Sequence, residues 1–287
     1  MELWNDLSKQ PDSRAEAARA DSACADFGGR DAAGARLARG DIRDDVASDA
    51  RHVVGRLHRF LLDVRFYPLV LCTLVCFAFL AARAHLLGHF GYGFLVKNLF
   101  LAWTPYCFSL IATILHERGE RRAALPRSTQ RRAGATWLAA TVWAAWLAML
   151  PNAPYIFTDL IHWRARREMP WWFDLGLVLM FALAGCFLGI ASLRIMHDLV
   201  RRRLGPALGW AFVCTVAILS GFGIDLGRFE RWNSWDLLTR PHHILGQIGR
   251  GLADPLAHGR TLGVTLMFGA MMLMTYVMFT HPARRVR

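Results

Sequence analysis

A short polar segment beside a long apolar stretch holds the first residues that could do chemistry. Residues 150–162 read LPNAPYIFTDLIH, and their two prolines should interrupt a helix. If a new helix starts near Pro154, one face of it carries Tyr155, Thr158, Asp159 and His162. Side chains three apart are neighbours on a helix, so Asp159 and His162 could share a proton. The pattern is typical of a histidine general acid or base oriented by a carboxylate. It is equally typical of a charged histidine at a wet interface.

A second polar segment follows a later apolar stretch. Residues 221–236 read GFGIDLGRFERWNSWD, in which Arg228 and Arg231 stand three apart. Two such arginines could bind a phosphate or a carboxylate. Trp232 and Trp235 favour the alternative, because Trp and Arg at this position also anchor a helix among lipid headgroups. The sequence leaves both interpretations open.

Smaller polar signals lie where other apolar stretches begin. Asn98 is of a type that usually bonds a neighbouring helix, and Asp174 would favour the dipole of a helix beginning near Trp171. The adjacent His242 and His243 have no known metal-ligand spacing. We therefore predict no metal site, and the cofactor, if any, remains unknown.

The elements that must position these residues are six long apolar stretches. The chain has 287 residues, 54% of them hydrophobic, and the apolar residues gather in runs of about the 20 residues needed to cross a bilayer. The predicted spans cover about 67–87, 94–115, 135–150, 171–196, 207–224 and 261–280. We expect an all-α, polytopic transmembrane bundle of about six spans with short interfacial helices.

The remaining chain divides into two further regions. Residues 1–50 are polar and should form a disordered cytoplasmic tail. Residues 51–66 alternate bases with apolar side chains and predict an amphipathic juxtamembrane helix, ahead of a six-span domain at 67–287. Near the end of the first span, Arg83 is expected to extend its guanidinium to the interface.

The net charge of +12 comes from bases that flank the spans in alternate loops. Such a distribution favours a membrane topology over nucleic-acid binding and places both termini in the cytoplasm of a cell whose inner (plasma) membrane holds the protein. The polar segments then lie at the extracytoplasmic face. Five of the six cysteines fall within spans, so we expect no disulfide framework.

Four strings carry a resemblance to a known family. FLVKNLFLAWTPY (94–106), LPNAPYIFTDLIH (150–162), WWFDL (171–175) and GFGIDLGRFERWNSWDLL (221–238) resemble the bacterial membrane-protein family catalogued as domain of unknown function 1361, over about residues 60–280. The resemblance implies a multi-span membrane fold and no assigned activity. Its matching polar positions are Asn98, Asn152, Tyr155, Asp159, His162, Asp174, Arg228, Asn233, Ser234 and Asp236. Lys97 and Asp225 depart from the pattern, which makes them poor candidates for an essential role.

Polar groups at membrane depth are costly unless they are paired or line a wet cavity, so their convergence at one face predicts a shared site. One hypothesis is an enzyme or binding protein for an anionic or lipid-linked substrate. Its catalytic residues would be His162 and Asp159, and its substrate-binding residues Asn98, Asn152, Tyr155, Asp174, Arg228, Arg231, Asn233 and Asp236. A transporter is less favoured, since the sequence has one clear helix break and no repeat. A structural subunit, in which the polar motifs hold helices together, is the third alternative.

Overall fold

The computed structural model describes residues 55, 58–123, 130–162, 169–229, 246 and 259–280, and the described residues are helical with short connections. Residues 58–63 belong to a separate unit that ends at Asp63, and the unit from Val64 onward contains the bundle. Its helices are α1 (Phe66–Leu87), α2 (Gly93–Ala123), α3 (Gln130–Met149), α4 (Asn152–Tyr155), a 3₁₀ helix (Ile156–His162), α5 (Trp171–Leu204), α6 (Pro206–Arg228) and α7 (Gly259–Thr280). The predicted tail at 1–50 lies outside the described residues.

Within the residues that the structure describes, five helices (α1, α2, α5, α6 and α7) are long and apolar enough to cross a membrane, which confirms the prediction of a polytopic helical membrane protein. Helix α3 occupies the place of the third predicted span and has 20 residues, but its first turn includes Arg131 and Arg132 and it is less apolar. Helices α2 and α5 end later than predicted, at Ala123 and Leu204. Their last turns are charged. A helix can continue past the apolar region because its backbone hydrogen bonds are made within the helix.

Helix α5 forms the centre of the bundle and packs against α1, α2, α6 and α7. A buried polar chain joins it to two neighbours: Trp146 Nε1 donates to Ser192 Oγ at 2.8 Å, and Ser192 Oγ donates to the Pro105 carbonyl at 2.9 Å. Pro105 lies within α2 and cannot donate to the Leu101 carbonyl, which instead accepts the Thr104 hydroxyl at 2.6 Å. The proline therefore leaves α2 continuous.

Helices α6 and α7 approach each other through small residues. A Cβ at Gly221 would lie 2.3 Å from the Thr265 carbonyl oxygen, so only a glycine permits this separation. Gly269 on α7 faces Ala217 of α6 in the same seam. Within a membrane the hydrophobic effect does not drive helices together, because lipid tails are as apolar as the helix surfaces. Close backbone packing of this kind then stabilises the contact through van der Waals attraction.

Candidate functional site

The helix break predicted at Pro151 and Pro154 forms a compact connection after α3. Helix α3 ends at Met149, and Asn152 Nδ2 donates to the Met149 carbonyl at 3.0 Å. Asn152, a predicted ligand-binding residue, thus satisfies one of the carbonyls that a helix end leaves without a partner. Pro151 packs against α6, where a Cβ on Gly223 would meet Pro151 Cγ at 2.5 Å.

The predicted faces of the following segment are wrong. It is a 3₁₀ helix, in which side chains three apart eclipse each other, so Ile156 and Asp159 align toward the bundle. Both are buried, although the prediction placed Asp159 without Ile156 on a polar face, and Ile161 is 71% exposed. The prediction used the α-helical period of 3.6 residues per turn, which does not align Asp159 with Ile156. The 3₁₀ period of three residues per turn does.

Asp159 lies at the centre of a cluster from four elements. Its Oδ2 accepts a hydrogen bond from Asn98 Nδ2 in the second turn of α2 at 2.5 Å. Its Oδ1 lies 3.7 Å from Nη1 of Arg228, the last residue of α6. The same Nη1 is 3.5 Å from the Tyr155 hydroxyl, and the guanidinium carbon lies 6.0 Å from the Tyr155 ring centroid. The structure therefore brings together four of the predicted site residues.

Asp174 forms a second, closer set of hydrogen bonds with Arg83 and Tyr92, two residues that were not among the predicted site residues. Arg83 Nε donates to Asp174 Oδ1 at 2.7 Å and its Nη2 to Oδ2 at 3.3 Å. The Tyr92 hydroxyl also donates to Oδ2 at 3.3 Å, and the Arg83 guanidinium carbon lies 4.8 Å from the Tyr92 ring centroid. Tyr92 has a φ of 60°, which is uncommon for a residue other than glycine.

One expectation for this pair was wrong and the other was incomplete. Arg83 does not extend to the interface but is 1% exposed, because a carboxylate on α5 offers it bidentate pairing inside the bundle. Asp174 does more than favour the dipole of α5, since it accepts three hydrogen bonds. Gly91 leaves room for the guanidinium: a Cβ there would lie 2.6 Å from Arg83 Nη1.

A third pair joins α6 to α7. Asp225, which the family pattern made a poor candidate, is buried with its Oδ1 3.5 Å from Arg260 Nε. Arg260 also covers the ring of Phe229, at 4.7 Å from the centroid. These three Asp–Arg pairs lie at one end of the bundle, where α1 and α6 end and α2, α5 and α7 begin. We refer to Arg83–Asp174, Asp159–Arg228 and Asp225–Arg260 together as the polar layer.

Other predicted site residues fall outside what the structure describes. They are the His162 side chain and residues Arg231, Asn233 and Asp236, together with the considered pair His242 and His243. Within the described parts of the chain, no group of three or more His, Cys, Asp or Glu side chains is placed to hold a metal ion. The five described cysteines are free thiols.

A scan against known families matches residues 97–275 to one family, described as "Protein of unknown function (DUF1361)". The chain belongs to the DUF1361 family. The matched residues include Asn98, Asp159, Asp174 and Arg228 of the polar layer and its partners, whereas Arg83 and Tyr92 precede them. Neither the search of curated proteins nor that of solved structures found a match.

Proposed function

We propose that this DUF1361 integral membrane protein binds an anionic ligand at the polar layer, with Arg228 as the anion-binding group. The supporting observation is the partial exposure of Arg228 at the end of α6, beside Tyr155 and Asp159. Its Nη1 lies 3.5 Å from the Tyr155 hydroxyl and 3.7 Å from Asp159, and its side chain is 15% exposed. Asp159, by contrast, is 2% exposed and is bound closely by Asn98. Arg228 therefore presents part of its guanidinium to a ligand anion, while Asp159 keeps its amide partner.

Comparison with the Arg83–Asp174 pair supports this choice. That pair has a 2.7 Å contact and is almost fully buried, so exchanging its carboxylate for a ligand would require opening the junction of α1 and α5. Arg presents five donors in a planar fork that suits phosphate and carboxylate groups. A residue at the end of a membrane helix lies at headgroup depth, where a lipid-linked anion would also present its charge.

The proposal places the site at the extracytoplasmic face of a bacterial inner membrane. Its support is the density of arginines near the opposite helix ends, including Arg201, Arg202 and Arg203 at the end of α5. Arg231, Asn233 and Asp236 follow Arg228 in the chain and are proposed to extend the same site.

An enzymatic role for the same site is a narrower version of this proposal. Asp159 and His162 are three apart in a 3₁₀ helix, a spacing that aligns side chains. His162 would act as general acid or base with Asp159 as its positioning residue. A transporter has less support, because the described helices show one proline-rich break rather than breaks in paired positions.

A structural role is the second candidate, and a separate observation favours it. Each aspartate of the polar layer pairs with an arginine from a different element: Arg83 joins α1 to α5, Arg228 joins α6 to the 3₁₀ helix, and Arg260 joins α7 to α6. Such pairs would fasten the helix ends to one another without any ligand.

Thermal unfolding of the purified full chain in a neutral detergent distinguishes the two candidates, with dodecyl phosphate as an anionic amphiphilic probe. We expect the probe to raise the Tm of the wild type and of Arg260→Gln, the matched control from the same layer. Arg228→Gln should lose the shift, and Arg228→Lys should keep part of it, because a point charge replaces a bidentate donor. An undiminished shift in Arg228→Gln rejects Arg228 as the anion-binding group. No shift in the wild type favours the structural role.

A further inference from the structure

A second ligand site is suggested at the opposite end of the bundle. Helices α1 and α7 flank α5, and a groove of about 230 Å³ runs between them. Its walls are mostly apolar and include Leu69 and Cys72 of α1, Ile190 of α5 and Phe279 of α7. Phe279 meets Phe187 of α5 edge to face, with ring centroids 5.3 Å apart, which fixes one wall.

Two arginines lie in the lining of this apolar groove. Arg65 stands immediately before α1, and Arg194 lies on α5. Among the described residues, neither guanidinium has a hydrogen bond or a carboxylate partner, and the nearest acid further along α5, Asp198, lies 3.6 Å from Arg201 instead. Charged side chains beside apolar surface usually pair, so two that do not are suited to an external anion.

The depth of Arg194 matches the level of lipid phosphates. It lies 23 residues beyond the start of α5 at Trp171, which is about 34 Å along the helix at 1.5 Å per residue. The hydrocarbon core of a bilayer is roughly 30 Å thick, so a side chain at this height reaches the headgroup region. Arg65, at the beginning of α1, lies at the same end.

Arg65 lines the groove from a left-handed turn immediately before α1. Arg65 has a φ of 63°, a left-handed conformation that costs energy for a residue with a side chain. The preceding Val64 carbonyl accepts a hydrogen bond from the buried Tyr106 hydroxyl at 3.0 Å, which fixes the turn. The first turn of α1 has no acidic residue and no side-chain cap, so the positive end of its dipole adds to the field of the arginine.

We propose that an anionic phospholipid occupies this groove, with its phosphate between Arg65 and Arg194 and an acyl chain along Leu69, Cys72 and Phe279. An amphiphile with one negative head fits the groove because charge is present at one end and apolar surface along the rest. The site is independent of the polar layer, which lies at the other ends of α1 and α5.

The test is native mass spectrometry of the full-length protein, released from vesicles that contain phosphatidylglycerol and phosphatidylcholine in equal amounts. The wild type should retain phosphatidylglycerol selectively. The Arg65→Gln/Arg194→Gln variant should bind it about twenty-five-fold more weakly, since each arginine near anionic lipid contributes about a fivefold gain in affinity. The matched comparison is between two single variants of α5. Arg194→Gln should bind the lipid about fivefold more weakly. Arg203→Gln removes one positive charge nine residues on, about half a turn around the helix, and should bind like the wild type.

Groove filling provides a second variant with unchanged charge. Ala191 lines the groove, and Ala191→Phe should exclude the acyl chain and lower the retained phosphatidylglycerol at least fivefold while its Tm in neutral detergent stays near that of the wild type. Equal retention in the double variant and the wild type overturns the proposal. So does a loss in Arg203→Gln equal to that in Arg194→Gln, which would indicate general attraction to the basic end. Retention of phosphatidylcholine in place of phosphatidylglycerol would show an apolar site without headgroup selection and would also reject it.

Discussion

Arg83 and Asp174 form a bidentate ion pair, 91 residues apart in sequence, between the last turns of α1 and the first turn of α5. The contact is 2.7 Å at its shorter bond, and both side chains are almost fully buried. Because the pair also receives the Tyr92 hydroxyl from the start of α2, it fastens three helix ends at one point. The polar layer is built around this junction.

Removal of one partner should therefore be far more damaging than removal of both. Arg83→Gln leaves a buried carboxylate uncompensated and should lower the free energy of unfolding by about 3–5 kcal/mol. Arg83→Met/Asp174→Leu removes both charges and should cost less than either single change. Denaturant unfolding in detergent, followed by tryptophan fluorescence, measures these values.

The matched control for this experiment is Arg201→Gln, which breaks the exposed 3.6 Å pair with Asp198 on α5. Surface pairs contribute about 0–1 kcal/mol, so this variant should remain close to wild type. If Arg83→Gln were as mild as Arg201→Gln, the buried pair would have no fastening role.

The close contact between α6 and α7 at Gly221 predicts that one added methyl group there lowers the stability of the protein. Gly221→Ala would place Cβ 2.3 Å from the Thr265 carbonyl oxygen, so the helices must separate. We expect a loss of about 1–3 kcal/mol in the free energy of unfolding, as for other overpacked sites. Gly263→Ala on α7, where an added Cβ meets nothing within 4 Å, is the control and should be neutral or stabilising. The same unfolding assay compares them, and equal stability would contradict this packing.

The Trp146–Ser192–Pro105 chain predicts strong non-additivity. Ser192→Ala leaves the Trp146 Nε1 donor and the Pro105 carbonyl without their partner, which should cost about 1–3 kcal/mol. Trp146→Phe removes the donor itself, so the loss in the double variant should be smaller than the sum of the two single losses. A double-mutant cycle of unfolding free energies measures the coupling between Trp146 and Ser192, and strict additivity would show that the hydrogen bond between them adds no stability.

Cysteine labelling tests the orientation of the bundle. In a background without the six native cysteines, Ile161→Cys should react with a membrane-impermeant thiol reagent in intact cells, because Ile161 is 71% exposed on the 3₁₀ helix. Arg203→Cys, at the opposite end of α5, should react only after permeabilisation. The reverse pattern would place the polar layer in the cytoplasm.

The helical membrane fold could be predicted because the lipid core imposes a length and an apolar composition that are visible in the sequence. Helix α1 illustrates this, since its predicted start at Tyr67 differs by one residue from the observed Phe66. Helix ends were harder to place where charged residues continue a helix into water, as at the end of α2. The family resemblance proposed from short strings was confirmed over residues 97–275.

The candidate site could be predicted only in part. Asn98, Tyr155, Asp159 and Arg228 were selected as polar residues at helix ends, and the structure places them together, although their ligand stays a prediction. Arg83 was missed, because an arginine near the end of an apolar helix has the same appearance whether it faces lipid headgroups or a buried carboxylate. Only the spatial neighbourhood of Asp174 and the space left by Gly91 distinguish the two cases.

The distance in sequence between Arg83 and Asp174 also imposes an order on biosynthesis. Helix α1 leaves the ribosome long before α5, so Arg83 has no Asp174 to pair with until the chain has been translated 91 residues further. Arg83 lies four residues before the end of α1, so until then its guanidinium can reach the hydrated headgroups. The Arg83–Asp174 pair therefore forms late in membrane insertion. A chain truncated before Trp171 should keep Arg83 in contact with water and expose it to cellular quality control.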